Sequence, residues 1–273
     1  MEQKCLIIGV VNQKGGTAKT TTAMHLGAGL AIKGKRVLLL DLDPQASLSL
    51  LAGLDLSMKR PTIADLLEAE IDRTPSAKPV ARKYEETIVN LDVNLDIIPS
   101  SISLSGMEMR LFTADAREFI LRGVLNPLRD RYDYIIIDGL PNLGSLMMNL
   151  LTAADKVIIP TKPEFLDIQG VSLLVNYAVN RVKYNLLNPN LEIAGILLTM
   201  VDSRLKATQE MLGELYEVTE ENDIHIFSTL IISSTKAREA SKKGITLYKY
   251  APTAKLTRAY MEFVEEVLAL GQD

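Results

Sequence analysis

At 273 residues the chain is long enough to bury a sizeable core in one large domain. Hydrophobic residues make up 47% and charged residues 23%, and a net charge of −4 excludes a protein that coats nucleic acid with its whole surface, though not a local basic patch. The single cysteine, Cys5, excludes an intrachain disulfide and fits a reducing cytoplasm, and no apolar run approaches the roughly 18 residues of a membrane span.

The first predicted element is a strand over 6–11, "LIIGVV", with Cys5 just ahead of it as a small buried hydrophobe. It runs into the glycine-bearing stretch "NQKGGTAKTTT" and then a helix over 19–33. Further strands are predicted at 36–41, 95–100, 134–139, 156–161 and 193–201. Helices are predicted at 61–70, 103–111, 115–130, 144–154, 167–184, 204–222 and 253–270. The strands are continuous apolar runs, as expected where both faces are covered. Their alternation with helices predicts a doubly wound α/β fold, a mostly parallel sheet with helices on both faces. Residues 71–90, with two prolines and mixed charges, read as a surface excursion of that single domain. In the last helix Leu256, Tyr260, Phe263, Val264, Val267 and Leu268 share one face. His25 and His225 have no second ligand at metal spacing and read as structural, and Met147 and Met148 as core filler.

A strand that ends in a glycine turn and feeds a helix is an anion site, because the turn's N–H groups converge where the helix adds partial positive charge. Gly15 and Gly16 let the backbone approach phosphate oxygens, Lys19 would reach the β- and γ-phosphates, and the Thr20 hydroxyl would sit on Mg²⁺. The competing reading is a plain strand-to-helix turn capped by Thr20 to Thr22. Two more strands end in acid: "RVLLLDLDPQAS" at Asp41 and Asp43, and "YDYIIIDGLPNLGS" at Asp138. Asp43 before Pro44 also suits an N-cap with proline at the first helical position. Acidic strand ends beside a glycine loop nonetheless fall where open α/β sheets bind ligands.

The loop departs from the usual G-x-x-x-x-G-K-[ST], with Gln13 and Ala18 at its two glycine positions. What remains, Lys14-Gly15-Gly16-x-x-Lys19-Thr20, resembles the deviant Walker A loop of the ParA/Soj and MinD ATPases, P-loop NTPases with an additional lysine early in the loop. The resemblance extends to Asp41-x-Asp43-Pro44-Gln45, to the strand ending at Asp138, to "LTAADKVIIPTKPEFLDIQGVSLL" with Glu164 and Gly170, and to the C-terminal helix. It implies ATP and Mg²⁺ as ligands and hydrolysis of the phosphoanhydride. The loop residues Lys14, Gly15, Gly16, Thr17, Ala18, Lys19, Thr20 and Thr21 would hold the nucleotide. Asp43 would orient the attacking water, and Thr20, Asp41 and Asp138 would serve the metal. Lys14 would reach the partner's phosphates in a nucleotide-sandwich dimer. Ala18 stands where the family mostly has glycine, and at φ > 0 it would cost about 1 kcal/mol.

Between 236 and 249 five basic residues face one acid, Glu239. Lys236, Arg238, Lys242 and Lys243, with Arg204 and Lys206, are candidate contacts to the phosphate backbone, the alternative being an ordinary solvated face. The cations at 236–243 are not interleaved with aromatics, which favours duplex over single strands. By resemblance, the expected protein is a cytoplasmic partitioning ATPase. It would dimerise on ATP, associate with the nucleoid through non-specific double-stranded DNA, and be released by hydrolysis that a ParB-type partner stimulates. The glycine loop begins about a dozen residues from Met1, leaving no room for a helix-turn-helix, so operator binding is not expected. One alternative is a MinD-like membrane ATPase, disfavoured by the acidic "EFVEEVLALGQD" ending. Another is a nucleotide-dependent adaptor with little hydrolysis. An iron–sulfur relative is disfavoured because Cys5 alone cannot ligate a cluster.

Overall fold

The computed structural model describes residues 5–73, 81–185, 187–201, 219 and 224–270. Its strands are β1 (Leu6–Val10), β2 (Val37–Asp41), β3 (Val89–Asp92), β4 (Leu95–Ile98), β5 (Tyr134–Asp138), β6 (Lys156–Thr161), β7 (Glu192–Val201) and β8 (Ile231–Ile232). They form one sheet in the order β3-β4-β2-β5-β1-β6-β7-β8, in which only the β3–β4 pair is antiparallel. Every residue of β2 and β5 is buried, which explains their unbroken apolar runs.

The helices are α1 (Lys19–Ile32), α2 (Ser47–Leu51), α3 (Ile63–Ile71), α4 (Ala81–Thr87), α5 (Leu104–Thr113), α6 (Ile120–Leu125), α7 (Ser145–Ala153), α8 (Phe165–Leu173), α9 (Asn180–Tyr184), α10 (Thr235–Lys242), α11 (Leu247–Tyr250) and α12 (Lys255–Ala269). A π-helical stretch, Leu174–Val179, joins α8 to α9, so the predicted helix over 167–184 is continuous but not uniform. The predicted helix over 115–130 is divided among short 3₁₀ turns and α6. Residues 204–222 lie outside the described residues except for Thr219.

Alternate side chains of each strand feed two apolar layers. Leu38, Leu40, Ile135 and Ile137 pack on one face with Leu121, Leu150 and Val171, whereas Leu39, Tyr134 and Ile136 pack on the other with Leu26, Leu30, Phe263 and Val264. Gly27 brings α1 close to β2, since a Cβ there would stand 2.4 Å from Leu39 Cδ2. The 71–90 region is more than an excursion: after the undescribed 74–80 it supplies α4, with Tyr84 and Thr87 buried, and the edge strand β3.

His25 is a strut between α1 and the first residue of α11. Its Nδ1 lies 2.7 Å from the Thr21 carbonyl, and its Nε2 accepts the Leu247 N–H at 2.9 Å. Only the neutral ring satisfies both, and full burial pushes the pKa down to about 4 from 6.5. A lowered folded pKa means stability present above pH 6.5 and lost as pH falls toward 4. Between pH 7 and 5 the advantage of wild type over His25→Gln should shrink by about 2 kcal/mol, measured by urea unfolding at both pH values. Asp41 titrates in both proteins and cancels from the difference.

Candidate functional site

The loop after β1 is held from several sides by residues with no motif to announce them. Asn12, fully buried, donates to the Pro160 carbonyl at 2.8 Å and accepts the Lys14 N–H at 2.9 Å. Gln13 donates to the Gly170 carbonyl at 2.9 Å, and the Thr199 hydroxyl on β7 donates to the Thr17 carbonyl at 3.1 Å. Gly16 has φ +75 and Ala18 φ 63, so the loop makes two left-handed steps. Alanine adopts the second at a cost of about 1 kcal/mol. No side chain caps α1 and no acid lies in its first turn, so Thr20 to Thr22 do not act as its caps. Its leading N–H groups are left for an anion.

Lys19, 8% exposed, donates from Nζ to the Lys14 carbonyl at 2.9 Å, an arrangement that folds the loop around one ammonium group. Burial pushes its pKa down, while Asp138 and Asp43 pull it back. Lys14 turns the other way. Its Nζ stands 2.7 Å from Asp167 Oδ1 and 3.8 Å from Glu164 Oε2, and the Asp167 contact leads in raising its pKa. The glutamate and glycine of the resemblance thus both sit against the start of the loop, Glu164 near Lys14 and Gly170 on Gln13.

Asp41 and Asp138 face each other in register at the carboxyl ends of β2 and β5, level with Val10 at the end of β1. Their environments differ. Asp41 accepts from the Ser49 N–H at 2.8 Å, the Ser49 hydroxyl at 2.7 Å and the Asp43 N–H at 3.2 Å, so it braces α2. Burial still lifts its pKa to about 6, against those hydrogen bonds. Asp138 is buried, and among the described residues neither carboxylate oxygen has a hydrogen bond of good geometry, the Thr20 hydroxyl making only a looser contact. Burial and the neighbouring Asp41 push its pKa well up, opposed by the Thr20 hydroxyl and the Lys19 ammonium. A bare buried carboxylate beside a threonine hydroxyl is a fit seat for a hydrated cation; Asp41 has less to offer one.

Asp43 is not a helix cap. It opens a turn closed by the Ala46 N–H on its carbonyl at 2.9 Å, and its Oδ1 accepts the Gln45 N–H at 2.9 Å. The N-cap of α2 is Ala46, at φ 52. The half-buried Asp43 carboxylate is thereby fixed beside the loop by local bonds.

A cavity of about 310 Å³ opens on the shoulder of the loop, lined by Ala18, Thr21, Met200, Ile231, Ser233 and Arg238 among others. Met200 has φ 54, so a second non-glycine residue there holds a strained left-handed conformation. Of the basic candidates, Lys236 is paired with Glu239 at 2.8 Å, and Lys249 nearby is paired with Asp92 at 2.6 Å. Lys243 lies 5.0 Å from the Tyr250 ring centroid. Arg238 and Lys242 are exposed without an ion pair among the described residues, and Arg238 also lines the cavity. Arg204 and Lys206 lie outside the described residues.

A strand entering this loop, a buried lysine on the following helix and a bare carboxylate at the neighbouring strand's end define a P-loop nucleotide-binding protein. A family model described as an AAA domain matches residues 5–193. The chain is 36% identical over 265 residues to the sporulation initiation inhibitor protein Soj of Bacillus subtilis, covering 97% of this chain and 99% of that one. It is 38% identical to the chromosome-partitioning ATPase Soj of Treponema pallidum, covering 95% of each. Among solved structures it is similar to cobyrinic acid a,c-diamide synthase of Mycobacterium smegmatis with bound ATP analogue and magnesium, at 32% identity and a TM-score of 0.78, covering 97% of this chain and 94% of that one. The chain belongs to the ParA/Soj family of P-loop ATPases.

Proposed function

We propose that this protein is a partitioning ATPase that closes into a homodimer on ATP and Mg²⁺. The dimer binds double-stranded DNA without sequence preference and is released when a ParB-type partner stimulates hydrolysis. The observation that carries the reading is Asp138, a buried carboxylate with no hydrogen bond of good geometry among the described residues, beside Thr20 and Lys19. The loop residues Lys14 to Thr21 would wrap the phosphates with N–H groups, and Lys19 would exchange the Lys14 carbonyl for phosphate oxygens. Thr20 and Asp138 would hold Mg²⁺, with Asp41 behind them keeping the neighbouring backbone in place. Bound Mg²⁺ neutralises charge on the phosphate oxygens. Asp43 would orient water toward the terminal phosphate, and Lys14 would complete the partner's site.

The shoulder cavity suits the base. Among the described residues it offers apolar walls and the hydroxyls of Thr21, Ser233 and Ser234. Two struts connect the site to the basic segment: His25 on α1 bonds Leu247, and Gly244 packs so closely on Gly53 that a Cβ on it would lie 2.6 Å from Gly53 Cα. The second strut leads through α2 to Ser49 and Asp41. These links support coupling between nucleotide and DNA. Against the membrane reading, Leu256, Tyr260, Phe263, Val264 and Val267 of α12 are buried in the core.

Size-exclusion chromatography with ADP, ATP and a non-hydrolysable analogue tests the reading. Wild type should dimerise with ATP or the analogue alone, and Lys14→Ala should bind nucleotide normally yet stay monomeric. DNA binding should require ATP and fall steeply with salt, log K against log[salt] having a slope of about −0.9 per phosphate contacted. Salt-insensitive binding removes the DNA interface, and ATP binding without phosphate release favours the adaptor.

A further inference from the structure

Asp167 entered no motif, yet its side chain is fully buried and the Lys14 ammonium stands 2.7 Å from its Oδ1. Neither oxygen accepts a hydrogen bond from any other described group. A carboxylate in that setting depends on its one cation, because removal of the cation leaves a buried charge uncompensated. Lys14 itself remains about one-third exposed, and its backbone is held on both sides, its N–H by Asn12 and its carbonyl by the Lys19 ammonium. Glu164 at 3.8 Å adds a weaker pull in the same direction.

We propose that Asp167 is a positioning residue that holds Lys14 on its own protomer and so sets the ATP concentration at which two protomers close. The proposal rests on the reading of Lys14 as the group that reaches the partner's phosphates. To make that reach, Nζ must leave Asp167, and the carboxylate is then bare. A triphosphate carries enough negative charge to compete for the ammonium against a single carboxylate. A diphosphate, lacking the terminal group, competes less well. The ion pair thus works as a threshold: it opposes closure of nucleotide-free and ADP-bound protein and yields to ATP. A neutral residue at 167 would lower that threshold.

The experiment is an ATP titration of dimer formation by the full-length chain, followed by sedimentation velocity, for wild type, Asp167→Asn, Asp167→Glu and Lys14→Gln. Asp167→Asn should reach half-dimer at about tenfold less ATP, within the range usual for coupling between two states, and Asp167→Glu should stay near wild type. Affinity of the two Asp167 variants, as monomers, for ADP should stay within twofold of wild type, because Asp167 does not touch the nucleotide. In nucleotide-free protein, acylation of Lys14 by an amine reagent, read by mass spectrometry, should be several-fold faster in Asp167→Asn. A purely structural role for Asp167 would leave that rate where it was. Asp167→Ser, smaller and equally neutral, repeats the test should asparagine disturb the packing. An unchanged or higher ATP midpoint in both neutral variants, with Lys14→Gln unable to dimerise, overturns the latch and leaves the role of Lys14 standing. Normal dimerisation of Lys14→Gln overturns that role and the latch together.

Discussion

Lys19→Ala should weaken ATP binding by about 100-fold or more, measured by calorimetry or displacement of a fluorescent nucleotide. The lysine is 8% exposed, so its ammonium acts in a site where water competes poorly. It faces Asp138 and Asp43, with Asp41 behind, and is the cation that those acids pull on. Removing it costs the triphosphate charge-assisted contacts of roughly 1.5–3 kcal/mol each and leaves an uncompensated acidic cluster to repel the incoming anion. Arginine should not restore binding, because a planar fork cannot take the place of an ammonium folded back on the Lys14 carbonyl. An ATP affinity within a few-fold of wild type in Lys19→Ala would remove the phosphate site from the loop altogether.

Asp43→Ala should do the reverse, leaving affinity within a few-fold while turnover drops by about 100- to 1,000-fold, as expected for loss of a group that handles the attacking water. The ATP-bound dimer should then accumulate, visible as a stable fast-sedimenting species that releases no phosphate. Asp43 also has a structural task, since its Oδ1 accepts the Gln45 N–H and orders the turn before α2. Asp43→Asn separates the two roles: the amide oxygen keeps the turn's acceptor but loses the charge, so turnover should fall as far as in Asp43→Ala. If asparagine retains wild-type turnover, Asp43 acts through the turn alone.

Local chemistry was legible where a residue's job depends on its neighbours in sequence. The glycine turn was readable from its place between strand and helix, and Ala18 stood out as strained if its φ were positive; its φ is 63. The edge strand β3 was not readable, since the apolar–polar alternation of "VNLD" spans only four residues, and pairing with β4 makes it a strand. The two residues of β8 carry even less signal. Helix α10 escaped because its sequence, "TKAREASK", has only Ala240 to bury; its N-terminus is marked by Ser234, whose side chain accepts the Lys236 N–H. The basic segment shows the limit of counting charges: its five cations look uniform in sequence, but Glu239 and the distant Asp92 each claim one.

The candidate site divides along the same line. By themselves, the residues in order specified the class of fold, the phosphate loop, the two acidic strand ends and an amphipathic last helix, because periodicity, turn chemistry and spacing are local properties of a chain. Only the packed molecule decided that Asp41 is saturated by Ser49 whereas Asp138 is bare, that Asn12 and Thr199 clamp the loop, and that Lys14 rests on Asp167. Each of these depends on which strands and helices become neighbours, across gaps of up to 182 residues. Burial and pairing, which set the charge a group can hold, exist only after those distant pieces have met.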